Sequence, residues 1–327
     1  MVDMIMPKKV FITGANGFIA RALAKKYREL GAEVGGIDFV AEPEWGVIVG
    51  DLLQPENWKA ALAGADLVIH CAALVSNTAP MADAWRVNVL GTKLVLDAAA
   101  ASGVKRFVHI SSTGVYGFEY VDQLDEETPL RPINHPYVDT KIAAEHVVLA
   151  TYLRGEIDCT IVRPADIYGP GSRPWVVVPL EMLNAGKFLL PANGRGMFSP
   201  LYIDDLVDGI ILAGGVEQGK GQIFNLCSDE MLTCVEFFTY HACWAGAKKV
   251  LCIPSSLANL LADLVGGLTR LMGKPSELGR NTMMMLARKN GYKNDKAKQL
   301  LGFEPKVKFE EGMRKVEVWL RESQLIQ

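Results

Sequence analysis

The sequence predicts an α/β protein built on a doubly wound parallel sheet. Short β-type runs alternate with helical patterns through the first half of the chain. That rhythm implies right-handed crossovers and helices on both faces of a sheet. The chain is also large and apolar enough for the core such a sheet needs. It has 327 residues, of which 50% are hydrophobic and 22% charged, and this excludes a disordered chain.

The elements follow in order. Val10-Phe11-Ile12-Thr13 reads as the first strand, with a helix over 18–30 and a second strand over 32–38. Further strands are expected over 46–50, 67–71, 106–111 and 159–163, with helices notably over 84–101 and 137–152. After Pro164 the rhythm changes: a Gly/Pro-rich loop spans 166–174, followed by an apolar helix over 175–185. Late strands are expected over 198–203 and 222–226, with a helix over 204–213 between them, and the chain from 233 onward is mostly helical. This divides the chain into a sheet-forming unit over 1–168 with a returning segment at 202–229, and a smaller region over 169–201 and 230–327.

Composition narrows the function classes. The 34 basic and 37 acidic residues leave a net charge of −3, which argues against nucleic-acid binding by bulk electrostatics. Six cysteines at 71, 159, 227, 234, 243 and 252 form no Cys-x-x-Cys pair. They read as reduced and mostly buried, not as a disulfide frame or zinc site. The five histidines have no metal-ligand spacing, so no metal is expected. The start, Met1 to Pro7, lacks the pattern of a secretory signal, and the apolar stretch over 253–272 is interrupted by Asp263, Gly266-Gly267 and Arg270. No spanning segment is expected, and the expected address is the cytoplasm.

Three groups of residues point to chemistry. The turn Gly14-Ala15-Asn16-Gly17-Phe18-Ile19-Ala20 follows the first strand and opens a helix. Glycines let the backbone approach a pyrophosphate, and the free N–H groups and dipole of the helix favour its charge; an ordinary glycine turn is the plainer reading. Asp38 ends the second strand, 24 residues beyond Gly14. A carboxylate there accepts both adenosine ribose hydroxyls and repels the extra phosphate of NADP, unless it is only a solvated turn residue. Asp51, beside Leu52, either meets the adenine amine or caps the helix near Pro55.

The third group joins Ser111-Ser112-Thr113-Gly114-Val115-Tyr116-Gly117 to Tyr137-Val138-Asp139-Thr140-Lys141. Tyr137 and Lys141 lie four residues apart and share a helix face. A phenol with a pKa near 10 is a poor base at neutral pH, and a nearby ammonium favours its ionised form. A tyrosine and lysine at this spacing are usually plain helix surface. Together with the glycine turn and a serine 25 residues upstream, chance is a poor explanation.

These elements resemble the extended short-chain dehydrogenase/reductase superfamily, whose members carry a Rossmann-type sheet and NAD. The likeness extends over nearly the whole chain through His70-Cys71-Ala72-Ala73, Asn88-Val89-Leu90-Gly91-Thr92, Arg163-Pro164, Leu201-Tyr202-Ile203-Asp204-Asp205 and Leu301-Gly302-Phe303-Glu304-Pro305. The resemblance implies Ser112, Tyr137 and Lys141 as a catalytic triad, with Ser112 favoured over Ser111 because it stands three before Val115. It implies a cofactor site formed by Gly14, Asn16, Gly17, Phe18, Ile19, Asp38, Asp51, Leu52, Cys71, Ala72, Ala73, Asn88, Tyr137, Lys141, Pro164 and Ile167. Asn88 serves equally well as a brace between two elements. The resemblance also implies a homodimer formed by the helices over 84–101 and 137–152.

Departures from the superfamily pattern bear on the substrate. Nucleotide-sugar 4,6-dehydratases have Asp-Glu after the active Ser/Thr, where this chain has Thr113-Gly114. Epimerases that grip a sugar diphosphate usually have arginine four residues before the Tyr at position 202, where this chain has Phe198, with Arg195 displaced. The rest of the expected lid is apolar: Trp175 to Val178, Phe188-Leu189-Leu190, Met231, the Leu-rich stretch over 257–271 and Met283-Met284-Met285. Such surface suits a lipophilic ligand, although each segment alone serves equally as core. The set resembles the 3β-hydroxysteroid dehydrogenase-like branch. The expected function is therefore NAD-dependent interconversion of a secondary alcohol and a ketone on an apolar, sterol-like or acyl, small molecule. A nucleotide-sugar epimerase and a non-catalytic NAD sensor are the alternatives.

Overall fold

The computed structural model describes residues 4–273 and 276–326. Residues 1–3, part of the segment read above for a targeting signal, lie outside the described residues. Seven parallel strands form one sheet: β1 Lys9–Thr13, β2 Glu33–Asp38, β3 Val47–Val49, β4 Leu67–His70, β5 Arg106–Ile110, β6 Asp158–Pro164 and β7 Ile223–Leu226. Their order is β7-β6-β5-β4-β1-β2-β3. Winding reverses between β1 and β4, which opens a crevice at their carboxyl ends.

Alternation along the strands feeds two cores. Val10, Ile12, Ile69 and Val108 face helices α1 (Phe18–Glu29) and α4 (Ile203–Gly215), where they meet Leu23, Tyr27, Leu206 and Ile210. Phe11, Val68 and Phe107 face the opposite way, against Val95, Leu96 and Val148 of helices α2 (Gly91–Ala101) and α3 (Pro136–Leu153). Strands β4 and β5 are buried at every residue, as expected of a parallel sheet covered on both sides.

Two expected elements form differently. The helix over 84–101 is composite: Met81–Trp85, a π-helical turn Arg86–Leu90, then α2. The Thr92 hydroxyl, at the start of α2, donates to the carbonyl of Asn88 in this turn at 2.6 Å. The strand over 198–203 breaks in two. Met197–Phe198 pairs antiparallel with Leu232–Thr233, and Pro200–Tyr202 pairs parallel with Asp166–Tyr168, inside the expected loop. At the break, the Ser199 N–H donates to the Asp166 carboxylate, and Pro200 has no N–H to continue a ladder. The six cysteines are all free, but only Cys159, Cys227 and Cys234 are buried; Cys243 is exposed. "Mostly buried" was therefore too strong.

A buried polar network joins four elements behind the crevice. Arg163 on β6 donates through Nε and Nη2 to both Glu145 oxygens on α3, at 2.9 and 2.6 Å. Its Nη1 donates to Tyr116 Oη at 2.8 Å, which in turn donates to Asn225 on β7 at 2.8 Å. Ser111, just past β5, donates its hydroxyl to Glu145. Removing one member leaves a buried charge without its counter-charge. We expect Glu145→Gln and Arg163→Met each to cost about 3–5 kcal/mol in denaturant unfolding, and the double substitution Glu145→Leu/Arg163→Met to cost less than the two together.

Candidate active site

Gly14 adopts φ +65°, and a Cβ there would come within 2.8 Å of the Ala72 backbone. Gly36 on β2 is equally required, because a Cβ would overlap the Ile12 carbonyl and the Ala15 methyl. These two positions let the turn lie flat across the ends of β1 and β4. The first turn of α1 has no side-chain cap, so its N–H groups remain available to an anion. Phe18 lies against Gly171, and Ala20 is fully buried beneath.

Asp38 closes the far side of the turn. One carboxylate oxygen accepts the Asn16 N–H at 2.9 Å and the other accepts the Phe39 N–H at 2.7 Å. The Asn16 side chain donates to the Val40 carbonyl and accepts from Arg21. The carboxylate is thus fixed, half-buried, at the crevice mouth. Asp51 is half-buried and its side chain accepts the Leu53 N–H at 2.9 Å. It closes its own turn and does not cap the helix Pro55–Asn57. Leu52 packs inward on the core.

Beyond this turn the structure brings Ser112, Tyr137 and Lys141 together. Ser112 follows β5 and accepts the Gly114 N–H at 3.0 Å, while Ser111 points back into the network described above. Tyr137 enters on the first turn of α3, which Pro136 begins and the His135 imidazole caps. Burial raises the Tyr137 phenol above its ordinary value, and a hydrogen bond with Ser112 opposes the rise. Burial pulls the Lys141 ammonium down to about 8, against the attraction of Cys71 and Glu145. Lys141 Nζ donates to the Ile110 carbonyl at 2.7 Å and lies 5.9 Å from the Tyr137 ring centroid. The expected ammonium is next to the phenol, but in the protein alone burial governs the phenol. Ser112 and Tyr137 keep partial access to solvent while Lys141 is buried. The arrangement suits a proton exchanged at an accessible phenol and held from behind.

Asn88 acts as the brace. Its carboxamide accepts the Leu74 N–H at 2.7 Å and donates to the Leu74 carbonyl and to Thr140 Oγ1. It therefore ties the segment Cys71-Ala72-Ala73 to the helix carrying Tyr137 and Lys141. Sequence reasoning missed the chain behind it. Thr13 Oγ1 is 2.7 Å from His70 Nδ1, and His70 Nε2 is 3.0 Å from Thr92 Oγ1. Because Thr92 spends its proton on the Asn88 carbonyl, His70 must donate from Nε2 and accept at Nδ1. Burial keeps this ring neutral, with its pKa pulled down to about 3 and the Lys141 charge adding to the effect. His109 stacks on it at 5.5 Å with neither ring nitrogen hydrogen-bonded. The signal for this chain was Thr92, which closes the motif begun at Asn88.

Pro164 ends β6, and Ile167 lies half-buried in the strand Asp166–Tyr168. Part of the expected apolar lid is core, while its Leu-rich stretch over 257–271 is largely exposed. Val176, Val177, Phe188, Leu190, Phe198 and Met283 are buried, and Phe198 stacks on Phe237 at 3.8 Å and meets Trp175 edge-on at 4.8 Å. Arg288 is also buried and is ion-paired with Asp166. Arg195 is exposed. Among the described residues, no group of three or more His, Cys, Asp or Glu side chains is placed to hold a metal ion.

Comparison with known proteins agrees with this geometry. A ketoreductase of Stigmatella aurantiaca acting on a 4-hydroxy-2-methyl-3-oxo-4-farnesyl-3,4-dihydroquinoline-1-oxide is 29% identical, over 93% of this chain and 94% of its own. A 3-beta-hydroxysteroid dehydrogenase of Mycolicibacterium neoaurum is 31% identical, over 70% of this chain and 68% of its own. The solved structure of MoeE5 in complex with UDP-glucose and NAD superposes with a TM-score of 0.78 at 25% identity, over 97% of this chain and 99% of that one. The family model for the NAD dependent epimerase/dehydratase family matches residues 10–227. The chain is an NAD-dependent enzyme of the extended short-chain dehydrogenase/reductase type and belongs to the NAD dependent epimerase/dehydratase family.

Proposed function

We propose that the protein interconverts a secondary alcohol and a ketone on a largely apolar small molecule. The observation that carries this reading is Phe198. It stands where a sugar-diphosphate enzyme of the superfamily usually presents arginine, and it is buried among Trp175, Phe237 and Phe238. The neighbouring guanidinium of Arg288 is occupied by Asp166. This leaves a poor setting for a diphosphate, which calls for a free bidentate fork. The ketoreductase and the steroid dehydrogenase among the relatives support an apolar substrate.

In the oxidative direction, Tyr137 takes the hydroxyl proton, Ser112 orients that oxygen by hydrogen bonding, and Lys141 supports both the ionised phenol and the nicotinamide ribose. NAD supplies the hydride acceptor when bound, seated on the Gly14–Ile19 turn, Asp38 and the Ala72-Ala73 segment. Residues 1–168 with 202–229 form the nucleotide unit, and 169–201 with 230–327 the substrate side. A second reading, nucleotide-sugar epimerisation, draws on MoeE5 and its UDP-glucose complex. The two separate on net absorbance of reduced nicotinamide, which accumulates only in a dehydrogenase. A sensor without turnover is disfavoured by the intact Ser-Tyr-Lys set.

Tyr137→Phe should lower kcat by about 10²–10⁴-fold with NAD affinity close to wild type, measured by steady-state kinetics and NADH titration. Substantial residual turnover would remove Tyr137 as the base. Asp38 should favour NADH over NADPH by about tenfold to a hundredfold, because no arginine follows in Asp38-Phe39-Val40-Ala41 to offset the repulsion. Paired titrations should show that preference collapsing in Asp38→Ala, and equal affinities in the wild type would mean that Asp38 only closes its turn. A homodimer on the 84–101 and 137–152 helices has exposed Trp85, Leu90 and Leu153 to bury. Light scattering at micromolar concentration should find a dimer, and Trp85→Asp/Leu90→Asp should yield monomer.

A further inference from the structure

The loop over 74–80 leaves the carboxyl end of β4, where the sheet reverses its winding and where such folds hold their ligands. Its root is fixed from inside. Ala72 packs against Gly14, and Asn88 holds both backbone groups of Leu74. The tip is held differently. Val75 is 70% exposed, so packing does not fix it. Hydrogen bonds to a segment 200 residues later in the chain do.

Glu277 makes the central contact. One carboxylate oxygen accepts the Ser76 hydroxyl at 2.7 Å, and the other accepts the Asn77 N–H at 2.6 Å. The loop is shaped to present both donors. Ser76 Oγ also accepts the Thr78 and Ala79 N–H groups, at 3.1 and 2.9 Å, and so closes a tight turn. Two more contacts flank the carboxylate. Asn77 Nδ2 donates to Thr282 Oγ1 at 3.0 Å, and the Thr78 hydroxyl donates to the Ser276 carbonyl at 3.1 Å. Thr282 is set to accept, because its own proton goes to the Glu277 carbonyl at 2.6 Å. A carboxylate bonded through both oxygens is directional, yet Glu277 is exposed and water can take the place of the loop. Such a contact holds a position without locking it.

We propose that Glu277 is a positioning residue, a clasp that holds the 74–80 loop closed over the bound dinucleotide. It rests on the reading that NAD lies along the Gly14 turn and the Ala72-Ala73 segment. Glu277 also reaches toward the helix of Tyr137. Burial lowers the pKa of His135, which caps α3 just ahead of Tyr137, and the charges of Asp139 and Glu277 oppose that fall. The carboxylate therefore stands between the loop tip and the start of α3. A dinucleotide leaving the crevice passes this loop, so its rate of release reports the clasp.

The test is release of NADH from the full chain, followed by stopped-flow displacement with excess NAD, beside denaturant unfolding. Glu277→Ala should release NADH about tenfold faster than wild type, and Glu277→Gln, which keeps one acceptor, should fall between them. Unfolding curves of both should match wild type, since an exposed contact adds little to the fold. Ser76→Ala should also speed release. Glu277→Ala/Ser76→Ala should be no faster than the faster single variant, because both act through one contact. Arg280→Ala removes the neighbouring ion pair with Asp263 and should keep the wild-type rate. Wild-type release from both Glu277 variants overturns the clasp. So does equal acceleration in Arg280→Ala, which would mean a general loosening of the segment. Glu277→Gln keeps the test decisive should the alanine disturb folding. Release is read without turnover. A chain with the expected rates that acts on no ketone or alcohol keeps its clasp and loses the dehydrogenase reading.

Discussion

The bidentate contact between Glu145 and Arg163 is the constraint on which the rest of the site depends. It joins α3 to β6, and through Ser111, Tyr116 and Asn225 it also fixes the end of β5 and the edge strand β7. Tyr137 and Lys141 sit on the first turns of α3, and Ser112 sits one residue past Ser111. Any slip of α3 along the sheet would separate phenol from hydroxyl. Buried ion pairs seldom add much net stability, but they tolerate very few arrangements. Here the restriction falls on the two elements that must meet.

A second brace works from the other side. The Asn88 carboxamide joins the segment after β4 to Thr140, and the π-helical turn turns its side chain toward both. An extra residue in a helical turn is an unfavourable local geometry that often marks functional positions. The gain is that the segment after β4 and the helix of Tyr137 are fixed to one amide. The two braces share no residue, yet both close on α3, one at Thr140 and the other at Glu145.

The sheet was legible because strand and helix periods alternate cleanly, and boundaries shifted by only a residue or two. Gly14, Asp38, Ser112, Tyr137 and Lys141 stand out in the sequence because the chemistry proposed for them would demand particular side chains at particular spacings. Phe198 illustrates where such reading ends. Its departure from an arginine was visible, yet its burial against Phe237 depends on a helix nearly forty residues later in the chain. The expected apolar lid is divided for the same reason, part of it core and part exposed, since hydrophobicity alone does not say which neighbour covers a side chain. The helix Ser255–Leu271 shows the converse, because its leucine period is that of a core helix and only the tertiary structure shows it turned outward. The Thr13–His70–Thr92 chain was hidden because its members come from three separate segments.

The stacked imidazoles of His70 and His109 carry a consequence for proton linkage. Both are buried and neutral, His70 with its pKa pulled down to about 3 and His109 also well below normal, each chiefly by burial. An unfolded histidine takes up its proton near 6.5, so below that pH the unfolded chain binds protons that the native fold refuses. Stability from these rings is complete above about 6.5 and drains away as pH falls toward 3, by up to about 1.4 kcal/mol per ring for each unit. Acid therefore weakens the fold through the unfolded chain, beginning below about 6.5, while both rings stay neutral in the native sheet. The result is a protein whose margin of stability narrows on mild acidification with no change of charge in the middle of its sheet.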